Sequence, residues 1–173
     1  MVSNNVWVEA TIHPDSAKEM EAKWKTAIPE KNLHITMAFT NILADTLDSE
    51  KFIMLCDSLA NCVSDLPSLL DDEIEVGGVA VLGPDTFTAG VLLLQSQLLW
   101  SYNRAFSHQL TTFNQLDLKY PGWLPHVTLA FDVGANTEDI YQLHHLATVL
   151  AASRQPIKVD GLWLRAGRMC LPL

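Results

Sequence analysis

The sequence predicts an α+β fold built on largely antiparallel sheets. Three observations point there. Strand and helix signals alternate, but with mixed connections rather than the steady strand–helix–strand period of a doubly wound parallel sheet. A turn signal at Gly83-Pro84-Asp85 joins two strand-like runs as a hairpin. A seven-residue strand motif occurs twice, 92 residues apart, which is about half of the 173-residue chain. Together these predict two related halves, each with a largely antiparallel sheet and outer helices, arranged about a pseudo-twofold axis.

The elements follow in chain order. Val6–Ile12 alternates apolar and polar residues and is rich in β-formers, so it reads as a strand. Asp15–Ala27 reads as a helix, with Ser16 and Glu19 at capping-box spacing and Met20 and Trp24 on one face. Lys31–Thr40 is the next strand. Asp48–Val63 is a helix with Phe52, Leu55 and Leu59 on one side. Glu73–Leu82 and Phe87–Gln95 are the two hairpin strands, and Ser96 caps a long helix carrying Leu99, Tyr102, Phe106, Leu110 and Phe113. Leu124–Val133 is a strand. Asn136 opens a helix through Ala152 with Ile140, Leu143, Ala147 and Leu150 inward, and Ile157–Leu164 and Arg168–Leu171 close the chain as strands. The total is about seven strands and four helices, and the whole of 1–173 reads as one domain of two lobes around a central groove.

Composition narrows the function. Twenty acidic residues against 11 basic ones give a net charge of −9 with neutral histidines. Between positions 41 and 100 there are ten acids and a single base, Lys51. Long duplex nucleic acid is a poor partner for such a surface, because its affinity comes mostly from phosphate neutralisation. A small nucleotide held in a local pocket is compatible with it. The four lysines Lys18, Lys23, Lys25 and Lys31 read as a solvated helix face. The apolar runs are far shorter than the roughly 18 to 20 residues a membrane-spanning helix needs. The first residues lack a basic stretch followed by an apolar one, so no secretory signal is expected. Cys56, Cys62 and Cys170 are odd in number and form no Cys-x-x-Cys pair. That argues against a disulfide framework or zinc site and for a reducing compartment, the cytoplasm by default.

The duplicated motif carries the chemistry. Leu33-His34-Ile35-Thr36-Met37-Ala38-Phe39 matches Pro125-His126-Val127-Thr128-Leu129-Ala130-Phe131 at four of seven positions, with two further conservative changes. Side chains alternate faces along a strand. His34, Thr36 and Ala38 therefore share one face, opposite Leu33, Ile35, Met37 and Phe39; His126, Thr128 and Ala130 repeat the pattern opposite Val127, Leu129 and Phe131. The large apolar face is expected to pack on helices. The other offers an imidazole, a hydroxyl and a small residue that leaves room for a ligand. Around a pseudo-twofold axis the two histidine–threonine faces meet across one groove.

Two histidines aimed at one phosphate can do acid–base work without a metal. Neutral imidazole takes a proton from water or a ribose hydroxyl, and imidazolium gives one to the leaving oxygen. Each role typically contributes about 10²- to 10⁴-fold in rate. The threonine hydroxyls can hold the nonbridging oxygens as charge develops. A single His-Thr pair on a strand is more often structural than catalytic; two matching copies at half-chain spacing reverse that weighting. Trp7 on the first strand, Trp123 three residues before His126, and Tyr120 are candidates to stack on a base, with core packing the rival role for Trp7. Arg165 and Arg168 are weighed as phosphate ligands against plain solvated arginines. His144-His145 lacks acidic partners at ligand spacing and reads as surface; His13 and His108 read as structural. No metal or cofactor is expected.

At the two motifs the sequence resembles the 2H phosphoesterase superfamily, named for its pair of H-x-T/S-x motifs. It is most similar to the branch holding bacterial 2′-5′ RNA ligases and RNA 2′,3′-cyclic phosphodiesterases. The likeness extends from the first strand–helix unit to Val159-Asp160-Gly161-Leu162-Trp163-Leu164, which resembles the strand that family places near its end. It implies a bilobal α+β fold with the catalytic groove between lobes, His34 and His126 as the catalytic pair, and Thr36 and Thr128 as phosphate ligands. Which histidine is acid and which is base stays open. Some relatives acting on RNA carry Arg where this chain has Phe39 and Phe131, which speaks against long RNA and ligation. The superfamily also includes phage enzymes that degrade cyclic oligonucleotide signals. The expected reaction is thus metal-independent cleavage of a phosphodiester in a small nucleotide or oligonucleotide: a 2′,3′-cyclic phosphate, a 2′-5′ linkage or a cyclic oligonucleotide. The alternatives are a binding module that acts as sensor or sponge, and a partner-binding protein with a relic pocket.

Overall fold

The computed structural model describes residues 4–21, 27–83, 88–119, 122–133 and 137–173. Lys23, Trp24, Lys25, the Pro84-Asp85 turn, Phe87, Tyr120 and the Asn136 helix start lie outside the described residues. Seven strands and four α-helices are described: β1 (Asn5–Ile12), α1 (Pro14–Met20), β2 (His34–Leu43), α2 (Ser49–Cys62), β3 (Glu75–Leu82), β4 (Ala89–Gln95), α3 (Gln97–His108), β5 (His126–Phe131), α4 (Thr137–Ser153), β6 (Val159–Ala166) and β7 (Met169–Pro172). The strands form a single antiparallel sheet in the order β3-β4-β5-β2-β1-β6-β7.

Apart from β7, the order has three strands on each side of the β5–β2 boundary. Each half contributes a strand, a helix and a motif strand: β1-α1-β2 on one side and β4-α3-β5 on the other. The two expected sheets are therefore one. The motif strands are neighbours in that sheet, joined through the single antiparallel pair Ile35–Val127. The physical reason is the sheet edge. β1 and β4 each occupy one edge of a motif strand; the other edges meet only at Ile35–Val127, and beyond it that of β2 is met by residues 117–119 and that of β5 by Ala27 and Ile28.

One face of the sheet is apolar and carries the core. Val6, Val8, Ala10, Ile35, Met37, Leu92, Val127, Leu129 and Leu164 are buried there together with Phe52, Leu55 and Leu59 of α2, Leu99 and Phe106 of α3, and Leu143 and Leu150 of α4. The helices begin where the sequence chemistry places them. Asp48 accepts from the Lys51 amide at 2.8 Å and Ser96 from the Leu99 amide at 3.0 Å. α1 departs from expectation. It starts at Pro14 behind His13, whose Nδ1 accepts from the Asp15 amide, while Ser16 accepts from the Lys158 amide instead of closing a capping box. Lys31 and Asn32, expected as the start of the strand, belong instead to a 3₁₀ turn, Glu30–Asn32, that delivers the chain to His34. The three cysteines are free thiols; burial pushes Cys62 up to about 11, consistent with a small core filler.

A second correction concerns the ends of the motifs. The register of β1 on β2 jumps from Val8–Ala38 to Glu9–Thr36, and that of β4 on β5 from Gly90–Ala130 to Val91–Thr128. Each motif strand thus carries one extra residue, Met37 or Leu129, at the same point of the repeat. A bulge of this kind interrupts the two-residue alternation. Ala38 and Ala130, expected on the ligand face, are buried at 4% and 0% exposure. Phe39 and Phe131, expected on the packing face, turn to the side of the histidines. Phe39 stacks on Trp7 with ring centroids 6.0 Å apart, and Phe131 is 39% exposed. The bulge carbonyl of Met37 is satisfied from α3, where buried Asn103 donates to it at 2.6 Å. Asn103→Leu leaves that carbonyl buried without its partner, and we expect a loss of about 1 to 3 kcal/mol in urea unfolding.

Candidate active site

On the face opposite the core, the single pair Ile35–Val127 brings the two motifs together, with His34 and Thr36 on one strand and His126 and Thr128 on its neighbour. All four side chains are half-buried, whereas Ile35 and Val127 between them are fully buried on the other side. The histidines and threonines therefore form one compact patch. The bulges just beyond it bring Phe39 and Phe131 to the same face.

Both imidazoles are held alike. Nδ1 of His34 lies 2.9 Å from the carbonyl of Asn32, and Nδ1 of His126 lies 2.7 Å from the carbonyl of Leu124. A carbonyl can only accept, so Nδ1 is the protonated nitrogen in each ring. The proton that comes and goes is then on Nε2 in both. The two acceptors stand at the same place in the two copies of the repeat, two residues before the histidine.

The patch is not symmetric in charge. Glu9 on β1 pairs with Thr36 across the β1–β2 ladder, so its side chain shares the face of the histidines. It is buried at 5% exposure. Its Oε2 lies 4.0 Å from His34 Nε2 and accepts from the Trp7 indole at 2.9 Å; its Oε1 accepts from Arg165 Nε at 2.7 Å. The corresponding position on β4, which pairs with Thr128, is Val91, fully buried. Glu9 escaped the sequence reading. The available signal was a lone carboxylate in the middle of an otherwise β-rich strand, on the same alternate positions as Trp7 and Thr11.

Burial pushes the His126 imidazole below its ordinary value; the bond to the Leu124 carbonyl opposes this, and the charge of His34 adds to it. The sign of the linkage follows. The unfolded ring takes up a proton near 6.5 and the folded one only at lower pH. The contribution of His126 is intact above that value, and stability declines as pH falls through it toward the folded value. We expect the urea midpoint to drop between pH 7.5 and pH 5, and the drop to be smaller in His126→Asn.

The other sequence candidates divide. Trp123 is half-buried beside the patch; its Nε1 donates to the Thr36 carbonyl at 2.8 Å and its ring meets Trp100 edge-on at 4.9 Å. Trp7 is only 9% exposed, stacked on Phe39 and bonded to Glu9, which is the packing role and leaves its faces covered. Tyr120 lies outside the described residues. Arg165 is the partner of Glu9 rather than a solvated side chain; Arg168 is exposed. His144 and His145 are exposed on α4. Among the described residues no three His, Cys, Asp or Glu side chains gather as a metal-binding group. No described helix is long and apolar enough to cross a membrane.

Two cavities lie near the starts of the motif strands, lined by neighbours of His34 and His126 rather than by the histidines or threonines themselves. One of about 410 Å³ lies beside His34, where Thr11, Lys31, Leu33, Asp160, Trp163 and Arg165 line it. The other, of about 380 Å³, lies beside His126, lined by Leu93, Gln95, Trp100, Leu124 and Pro125. Thr11 pairs with His34 and Leu93 with His126. Because β2 and β5 run in opposite directions, the cavities sit toward opposite ends of the patch. The first has charged and hydrogen-bonding walls; the walls of the second are aromatic, aliphatic or neutral.

No family model and no curated protein matches this sequence. Solved structures do match its fold. Usb1 of Kluyveromyces marxianus superposes with a TM-score of 0.60 at 10% identity, covering 98% of this chain and 97% of that one. The same protein with uridine monophosphate gives 0.55 at 13% identity, covering 98% and 97%. TT0787 of Thermus thermophilus gives 0.60 at 10% identity, covering 98% and 94%.

Proposed function

We propose that this chain, whose α+β fold is that of the 2H phosphoesterase structures, is a metal-independent phosphodiesterase acting on a small nucleotide or short oligonucleotide. His34 and His126 move the protons, and Thr36 and Thr128 hold the phosphate. The observation that supports this reading is the repeated hydrogen bond of Nδ1 to the carbonyls of Asn32 and Leu124, which leaves Nε2 of each ring as the nitrogen available to a substrate.

The chemistry follows from those groups. A phosphate seated over the patch meets one imidazole on the side of the attacking oxygen and the other on the side of the leaving oxygen. Neutral Nε2 removes a proton from water or a ribose hydroxyl; protonated Nε2 gives one to the leaving oxygen. The hydroxyls of Thr36 and Thr128 donate to the nonbridging oxygens and stabilise the negative charge that grows there. The two cavities support a substrate with a group on each side of the phosphate, as in a 2′-5′ linkage or a cyclic oligonucleotide; a 2′,3′-cyclic phosphate fills one side. The uridine monophosphate bound to the fold neighbour supports the small-nucleotide class.

The test is a panel of cyclic and linear nucleotides incubated with the protein in EDTA and read by mass spectrometry. Product from at least one substrate class supports the reading, and the isomer formed identifies the bond cleaved. Activity that appears only on adding metal overturns it. Tight binding with no product replaces it with a nucleotide-binding module.

A further inference from the structure

We propose that Trp163 is a stacking platform for the nucleobase carried on the His34 side of the phosphate. The inference rests on the phosphodiesterase reading and deepens it: it names a base-binding residue and a preference for a purine on that side.

The sheet puts this ring on the face of the candidate site. Trp163 on β6 lies opposite Glu9, and Glu9 lies opposite Thr36. Gly161, two residues earlier on the same face, lies opposite Thr11, and Thr11 lies opposite His34. The Trp163 backbone is thus two strands from β2, about 10 Å at the usual strand spacing. A nucleotide spans a comparable distance from its phosphate to its base. The cavity of about 410 Å³ beside His34 occupies this region, with Thr11, Lys31, Asp160, Trp163 and Arg165 among its walls. The other half lacks the ring. The matching place there, opposite Val91 and in line with Thr128, is Ala80.

Two contacts hold the indole in place. Its Nε1 donates to the Thr11 hydroxyl at 3.2 Å, and that hydroxyl donates to the Asp160 carboxylate. The ring also lies over Gly161, where a Cβ would stand 2.8 Å from Nε1 and 3.4 Å from Cε2. A side chain at 161 would therefore displace it. The ring is not spent on the core: Trp163 is half-buried, while Leu162 and Leu164 beside it pack on the other face. Trp7 is stacked on Phe39, and Trp100 meets Trp123 edge-on; among the described residues no aromatic ring packs on Trp163. With its N–H already bonded, the indole offers a ligand only its π surface. Stacking there tolerates every base and favours the larger ring system, because preference follows stacking strength. A ring fixed before the ligand arrives loses little freedom on binding.

The experiment measures binding of adenosine 5′-monophosphate, uridine 5′-monophosphate and ribose 5-phosphate by calorimetry. Wild type is expected to bind the adenosine nucleotide most tightly and ribose 5-phosphate, which has no base, most weakly. Trp163→Leu weakens the adenosine nucleotide by about 5- to 150-fold, the factor that one stacked base carries. It narrows the gap to the uridine nucleotide and leaves ribose 5-phosphate unchanged. Trp163→Phe keeps a ring and loses less. Gly161→Ala pushes the indole off its seat, weakens the adenosine nucleotide but not ribose 5-phosphate, and serves where Trp163→Leu does not fold. With the 2′-5′ dinucleotides ApU and UpA as substrates, Trp163→Leu raises KM more than it lowers kcat and reduces the difference between the two orders. An adenosine nucleotide bound no better than ribose 5-phosphate, an affinity untouched in Trp163→Leu, or equal losses on all three ligands overturn the platform. A uridine nucleotide bound as tightly as the adenosine one overturns the purine preference. Turnover in EDTA alongside any of these results leaves the phosphodiesterase reading intact. A wild type inert on every ester overturns that reading, and the three binding affinities then decide the role of Trp163 on their own.

Discussion

His34→Ala and His126→Ala each lower turnover of a phosphodiester substrate by about 10²- to 10⁴-fold in EDTA, the range a positioned proton donor or acceptor contributes. Both rings are half-buried, and both hold themselves by a bond to a carbonyl two residues earlier. Alanine removes the proton carrier and leaves the ladder hydrogen bonds of β2 and β5 in place, so the fold persists and circular dichroism is unchanged. The two losses do not add. A phosphate that has lost its base gains little from its acid, because the two act on one transition state, so the double variant falls by much less than the product of the singles. Rates of the three variants beside wild type measure this. Two losses that multiply independently, or a variant that retains full activity, speak against a shared site.

Arg165→Met destabilises the protein by roughly 2 to 3 kcal/mol, somewhat below the loss seen when a fully buried ion pair is broken. The discount reflects exposure. The Arg165 side chain is 35% exposed, whereas that of Glu9 is 6% exposed. Removing the guanidinium leaves the Glu9 carboxylate in the sheet with the Trp7 indole as a neutral donor and with His34 at 4.0 Å. Methionine preserves most of the aliphatic packing, so the loss reports on charge rather than on a cavity. Urea unfolding gives the magnitude. Glu9→Gln/Arg165→Met recovers part of it, because the buried charge is then gone; a double variant no more stable than the single refutes the assignment.

Much of this arrangement is legible along the chain because it is local. Val6–Ile12 shows its strand by alternation, Asp48–Val63 its helix by the face of Phe52, Leu55 and Leu59, Ser96 its helix by capping chemistry, and the two motifs show themselves by repetition. The sheet count, the partner of each motif strand and the bulges are not local. Which edge pairs with which depends on segments far apart in sequence, and a single extra residue at Met37 or Leu129 leaves no mark in a pattern of alternating residues. That is why the two alanines and two phenylalanines of the repeats exchanged faces relative to expectation.

The sequence by itself determined the α+β class, the order of the seven strands and four helices, and the two histidine–threonine pairs, because each depends on side-chain periodicity or on a string of residue types. Only the tertiary structure decided that the pairs lie on neighbouring strands of one sheet and that a carboxylate stands beside one imidazole and not the other. Glu9, His34 and Arg165 come from strands β1, β2 and β6, and the separation of 156 positions from Glu9 to Arg165 is closed by the backbone ladder, not by any motif.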